Sequence, residues 1–265
     1  MEIAVGTRPG TPQRGSDEAY VAEIVAPGIV LLAVAHGFGR IRERPAPTIA
    51  AQAVRDSLKR RVRRERRDPR AALSAAFSAA NARVYAHSGS TDDYVASGTS
   101  MTAALIVGDH AFVGHVGATR AYLGRDGALT SLTSDDAVGE GPLRLLTRTL
   151  GTQPTLEPGL AHLRLMHGDA LVLSSGALHE LLGEDEIADA LRASASSEDA
   201  TARLLAIAGI RGDGAATVIV GRAFNELSLD ASKRRPQARE AAVALFAMLA
   251  ATIVAIVMLH AMFTP

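Results

Sequence analysis

The 265-residue chain is 48% hydrophobic but only 4% aromatic, which suits one globular domain with an appendage and excludes a collagen-like, coiled-coil or wholly disordered protein. Cysteine is absent, so a disulfide framework, a thiol nucleophile and a thiolate zinc site are all ruled out. Lys plus Arg and Asp plus Glu both total 28, and this zero formal charge argues against a dedicated nucleic-acid binder.

In chain order, the stretch to Arg14 is rich in Gly, Pro and Thr and reads as an irregular strand or arm. Tyr20 to Val25 and Ile29 to Ala35 are β-branched runs separated by Pro27 and Gly28, the pattern of a hairpin. Thr48 to Arg67 predicts a helix, Pro69 suits the first turn of another that runs through Ala71 to His87, and Ser88 to Ser97 is a polar loop. Ser100 to Val107, Ala111 to Val116, Arg120 to Gly124 and Ala128 to Leu132 follow as strands, expected to form an antiparallel meander. A helical region is expected near Gly141 to Leu150, then strands at Leu163 to Met166 and Ala170 to Ser174. Helices around Glu184 to Arg192 and Ser197 to Ile207 and a last strand at Thr217 to Val220 complete the pattern. Antiparallel strands interleaved with helix pairs indicate a layered α+β domain.

Two stretches point toward a membrane. Val54 to Arg70 carries nine basic residues against three acidic ones. Arg55–Arg70 is therefore either a solvated helix face or a polybasic surface for anionic lipid. Residues 241–263, AAVALFAMLAATIVAIVMLHAMF, contain no charged side chain and are long enough to cross a hydrocarbon core of about 30 Å. Their ten Leu, Ile, Val and Phe residues favour insertion by roughly 3 to 6 kcal/mol, at about 0.3 to 0.6 each. No apolar secretory segment opens the chain, and Lys233, Arg234, Arg235 and Arg239 precede the span. The expectation is a single-pass cell-membrane anchor with the large domain in the cytoplasm, joined through a basic linker at 223–240.

LLAVAHGFGR (31–40), GTSMTAALIVGDHAFVGHVGATRAYLGRDGALTSLTSDD (98–136) and LTRTLGTQPTLEPGLAHLRLMHGDALVLSSGALHELLGEDEI (146–187) resemble, in order, the metal-dependent PPM-type serine/threonine protein phosphatases. RGSDEAYVAEIV (14–25) and RGDGAATVIV (211–220) fill that family's first and last motifs, so the resemblance covers residues 1–222. It implies a four-layer α/β/β/α sandwich, with two antiparallel sheets face to face and helices outside.

Catalysis in that family uses two divalent ions sharing a water, held by carboxylates from several motifs. Against that pattern, Asp17 and Glu18 retain negative charge in the first motif. The bridging aspartate, however, is replaced by His36, the Val-Gly-Asp-Ser-Arg aspartate by Ala118, the Ser-Asp-Gly aspartate by Gly176, and the closing Asp-Asn by Gly214 and Ala215. Asp213 is displaced from the last of these by one residue, and the family's phosphate-binding arginine falls at Gln13, beside Arg14. Arg14 either meets an anion or is a surface arginine. The resemblance thus implies a pseudophosphatase with no catalytic set and no resident cofactor, working through a protein partner. The alternative is an active metal-dependent serine/threonine phosphatase with an atypical site: one Mn or Zn ion on Asp17 or Glu18, the His36 imidazole and the Gly37 carbonyl, or recruitment of Asp109 and Asp213. His110, His115, His162, His167 and His179 lack the paired spacing of a substitute metal site.

Overall fold

Ile29–Phe38 (β3) and Gly98–Val107 (β4) are ten-residue apolar runs that pair antiparallel at the middle of a sheet. Both of their faces are covered, one by helices and the other by a second sheet. In the computed structural model, residues 1–10, 18–38, 45–64, 68–88, 98–139 and 145–223 are described.

The first sheet has the order β10-β5-β4-β3-β2, adding Glu18–Ala26 (β2), His110–Val116 (β5) and Gly159–Arg164 (β10). The second runs β1-β12-β11-β6-β7, built from Glu2–Arg8 (β1), Arg120–Arg125 (β6), Ala128–Ser131 (β7), Ala170–Ser174 (β11) and Ala216–Arg222 (β12). Every pairing within both sheets is antiparallel. Ala137–Val138 (β8) and Leu145–Leu146 (β9) form a separate two-stranded ribbon.

Alternation along the strands sorts the core into layers. Leu32, Val34, Ala104, Ile106, Val113, Leu171, Leu173 and Ile219 fill the space between the sheets. On the far side of the first sheet, Leu31, Ala33, Met101 and Leu105 meet Val54 and Leu58 of α1 (Ala46–Arg64) and Leu73 and Phe77 of α2 (Pro69–Ser88). On the far side of the second, Val172, Val218 and Val220 meet α3 (Gly176–Leu181), α4 (Glu184–Arg192) and α5 (Ser197–Arg211) through Leu178, Ile187 and Leu204. The layers are therefore α/β/β/α, as the resemblance implies.

Local chemistry sets the ends of several helices. Asp68 Oδ1 accepts from Ala71 N–H at 2.9 Å, and Ser196 Oγ accepts from Asp199 N–H at 3.0 Å. Each satisfies a backbone donor that has no partner inside the first turn. Buried Asn81 of α2 donates to the Gln153 carbonyl and accepts from Gly151 N–H, both at 2.9 Å, fixing the loop that precedes β10.

Three expectations need correcting, and one helix goes beyond them. The N-terminal arm is a regular strand, β1, because β12 supplies a full ladder from Glu2 to Arg8. The four strands from Gly98 to Ser131 are two hairpins in different sheets, not a meander: β5 pairs with β4, β6 pairs with β11 and β7, and the chain changes sheets at Gly117 to Thr119. In the region expected to be helical, the described residues form strand β9 and a bridge from Leu150 to Thr99; residues 140–144 lie outside the description. The short helix α3 was not anticipated.

On α1, the basic surface is partly neutralised: Lys59 Nζ lies 3.1 Å from Glu23 Oε1, and Arg55 Nη2 lies 3.0 Å from Asp56 Oδ1. Among the described residues no helix is long and apolar enough to cross a membrane, and residues 241–263 lie outside the description.

Candidate functional site

The site lies at one end of the sandwich, where β3 ends, β4 begins and the chain crosses between the sheets. Register alone lines up three side chains: Glu18 of β2 is opposite His36 of β3, and His36 is opposite Ser100 of β4. Directly opposed residues share a face, so acid, imidazole and hydroxyl form a row across adjacent strands. Glu18 Oε1 is 3.1 Å from His36 Nδ1, and Thr217 of the other sheet donates to Glu18 Oε2 at 2.5 Å. Glu18 is only 8% exposed and His36 24%, which leaves the imidazole as the accessible member of the pair.

Gly117 makes the crossing possible. Its φ is +95°, and a Cβ there would lie 2.2 Å from Ser100 Oγ. Gly117 N–H donates to Asp136 Oδ2 at 2.9 Å, and Ala118 N–H donates to Ser100 Oγ at 3.0 Å. Asp135 receives both forks of Arg120, at 2.8 and 2.9 Å, while Arg148 holds the other oxygen of Asp136 at 2.9 Å. Two adjacent aspartates thus fix the crossing through charge-assisted bonds. Sequence reasoning quoted this Ser-Asp-Asp string without giving it a role, and it missed Ser100 and Thr217.

A cavity of about 490 Å³ opens here, lined by His36, Phe38, Ser100, Ala118, Leu146, Gly176 and Glu180. Three positions singled out from the sequence, His36, Ala118 and Gly176, converge on it. Gly214 sits beside the start of α3, where an added Cβ would lie 3.8 Å from that of Ala177. Gly37 is in β3 opposite Thr99. Arg14 and Asp17 lie outside the described residues. Asp109 is not brought here: it sits at the β4–β5 turn, roughly 20 Å along the strands from Ser100 at about 3.3 Å per residue. There its carboxyl is bonded to Arg164 at 2.6 Å, which holds it below the usual carboxylate range.

Among the described residues, the donors at the cavity do not fit a pair of hard divalent cations, which prefer several oxygen ligands each. Both carboxylate oxygens of Glu18 are engaged by His36 and Thr217, and among the described residues no cluster of three or more His, Asp or Glu side chains is placed to hold a metal ion. Glu18 is held between His36 and Thr217 across the two sheets.

Behind the site, His115 is buried, with Nδ1 2.9 Å from Thr102 Oγ1. Burial pushes its pKa below the ordinary 6.5, outweighing the opposing pull of the Asp136 charge. The unfolded chain therefore takes up a proton at this histidine before the folded one does. The neutral imidazole's contribution is complete above about pH 6.5 and is lost as pH falls toward the lower folded value. Urea midpoints measured from pH 7.5 to 5 should decline, and His115→Gln should flatten that decline. An unchanged slope in the variant would refute the assignment.

A four-layer sandwich whose sheet-crossing loops meet at one end is the architecture of the metal-dependent protein phosphatases, and the comparisons agree. The protein phosphatase 2C family model matches residues 29–138. The serine/threonine protein phosphatase PstP of Mycobacterium tuberculosis is 33% identical over 223 residues, covering 78% of this chain and 42% of that protein. Its crystal structure superposes with a TM-score of 0.71 at 27% identity, over 84% of this chain and 99% of that one. The PstP catalytic domain in complex with 2 manganese ions gives a TM-score of 0.70 at 27% identity, over 84% and 98%. The chain thus spans under half the length of full-length PstP. It belongs to the protein phosphatase 2C (PPM) family.

Proposed function

We propose that the domain is a catalytically inactive family member, a pseudophosphatase that binds a phosphoprotein, a kinase or a membrane complex. The cavity carries this reading. At three converging positions it offers an imidazole, a methyl group and no side chain, from His36, Ala118 and Gly176. Two divalent ions bring four positive charges, and Glu18, already shared between His36 and Thr217, cannot balance them alone. No resident cofactor belongs to this proposal. The alternative, an active metal-dependent serine/threonine phosphatase with an atypical site, is favoured by the relatives' names and by the manganese ions of PstP.

The test is hydrolysis of an aryl phosphate and a phosphopeptide by the purified full chain with millimolar Mn²⁺ or Mg²⁺. No turnover above background is expected. Metal-dependent turnover that disappears in the Asp17→Ala, Glu18→Ala double variant would establish the alternative.

We also propose that residues 241–263 anchor the chain in the cell membrane, with the domain in the cytoplasm. Exposed Arg60 and Arg70 then add to an anionic-lipid contact across Arg55–Arg70. Carbonate extraction checks the anchor: the full chain should stay with the membranes, and a chain ending before Ala241 should not.

A further inference from the structure

We infer that His110 and His162 form a surface site for one borderline divalent transition-metal ion of the Zn²⁺ or Cu²⁺ class, at the open edge of the first sheet. The site stands apart from the cavity and holds whether the cavity is active or not. It lies beside Asp109 at the β4–β5 turn, whereas the cavity lies at the opposite end of the same strands.

The two histidines are 52 residues apart, so their spacing in the chain does not pair them. The strand register does. β10 is the edge strand and runs antiparallel to β5, with Arg164 opposite His110 and His162 opposite Phe112. His110 and His162 are therefore diagonal neighbours on one face, within reach of each other for ring side chains. His110 Nδ1 is 3.0 Å from His162 Nε2. Two nitrogens bound at about 2.0 to 2.1 Å to one Zn²⁺ lie about 2.9 Å apart at a right angle and about 3.3 Å apart at the tetrahedral angle. The pair already has the separation that one ion needs, and a turn of the exposed His110 ring brings both lone pairs to a common point.

The surroundings hold both rings in place. His162 stacks on Phe112, with centroids 4.5 Å apart and planes 14° from parallel, and Phe112 packs in turn against the core under α1 and α2. On the outer side of His110, Asp109 Oδ1 is 3.7 Å from Nε2, while Arg164 takes the other oxygen of Asp109 at 2.6 Å. In the metal-free pair one ring nitrogen donates to the other. With an ion between them, each neutral ring carries its N–H on the outer nitrogen, and for His110 that nitrogen faces Asp109. A carboxylate behind the unligated nitrogen is the usual companion of a metal-bound imidazole, because it orients the ring and makes it more basic.

The ligand atoms select the ion. Imidazole nitrogens suit Zn²⁺, Cu²⁺ and Ni²⁺, whereas Mg²⁺ and Mn²⁺ favour oxygen. This is a pair rather than a closed set of four, and the His110 side chain is 46% exposed, so water completes the coordination and the ion exchanges with solvent. Once bound, the ion ties the edge strand β10 to β5 through side chains, in addition to the backbone ladder.

The test is calorimetric titration of the purified, untagged full chain with Zn²⁺, and with Mg²⁺ for comparison. Zn²⁺ should bind at least about a hundredfold more tightly than Mg²⁺. His162→Phe, which keeps the stack on Phe112, and His110→Gln should each weaken Zn²⁺ by at least about tenfold, and His36→Ala should leave this site unchanged. With Cu²⁺ as the probe, electron paramagnetic resonance should show two nitrogen ligands in the unaltered chain, a readout that needs no substitution. Unchanged Zn²⁺ affinity in either edge variant, a Cu²⁺ spectrum without nitrogen ligands, or no binding at millimolar Zn²⁺ would overturn the inference. So would a single site that is lost in His36→Ala and kept in both edge variants, a result that would place the ion in the cavity and favour the atypical-site alternative. Metal-dependent hydrolysis, in contrast, would sink the inactive reading and leave this one standing.

Discussion

With His36→Asp, Gly176→Asp and Gly214→Asp combined, Mn²⁺ at about 100 times its dissociation constant is expected to raise the melting temperature by about 5 to 10 °C. The shift follows from about 2.7 kcal/mol of linkage and about 2 to 4 °C per kcal/mol for a domain of this size. The unaltered chain should show no comparable response. The backbone admits the changes: an added Cβ at Gly176 meets nothing nearer than the Ala118 carbonyl at 3.5 Å, and one at Gly214 nothing nearer than 3.8 Å. Three carboxylates beside Glu18, with waters, suit an octahedral ion. These positions lie far apart in the chain, so a gain of this kind requires that they converge in space. If the triple variant folds but its melting ignores Mn²⁺, the loop assignments are wrong.

Gly117→Ala should be the most damaging single change near the cavity, at about 3 kcal/mol, lowering the melting temperature by about 6 to 12 °C. Two causes add. The backbone sits at φ +95°, where a side chain is strained, and the new methyl would lie 2.2 Å from Ser100 Oγ and 2.8 Å from its Cα. Gly108→Ala separates them, because Gly108 also has a positive φ, +61°, but its Cβ would meet nothing within 4 Å. That control should cost only about 1 to 2 kcal/mol, the price of the left-handed backbone alone. Equal losses in the two variants, measured by thermal circular dichroism, would rule out the steric contribution.

Much of this architecture was legible because local pattern and global fold agree. The β2–β3 hairpin around Gly28, the helix beginning at Pro69, and the extents of β11 and α4 follow from periodicity and turn residues. The sheet change at Gly117 was not legible, since β5 and β6 alternate alike whether they pair with each other or not. Nor was β9: two leucines are too few to show a period, and the leucine-rich stretch from 141 to 150 imitates a helix. At the site, the strings around His36, Ala118 and Gly176 revealed which positions belong together. What holds them did not show, because Thr217 lies 199 residues from Glu18 and Asn81 lies 70 from Gly151. Such partners become neighbours only through the sandwich.

The bond between Glu18 and His36 bears on how a metal centre could arise in this chain. Changed alone, His36→Asp sets two carboxylates directly opposite each other on neighbouring strands with no cation between them. It also takes from Glu18 one of its two partners, the other being a hydroxyl from the opposite sheet. Gly176→Asp or Gly214→Asp alone adds negative charge at a cavity whose described lining holds no Lys or Arg. If the pocket is inactive as proposed, each of these single changes adds negative charge beside Glu18 or the cavity before a cation is held, and the gain appears only when several are combined. The imidazole and a carboxylate at position 36 thus ask opposite things of Glu18, so the histidine is coupled to the whole set of changes rather than to any one of them.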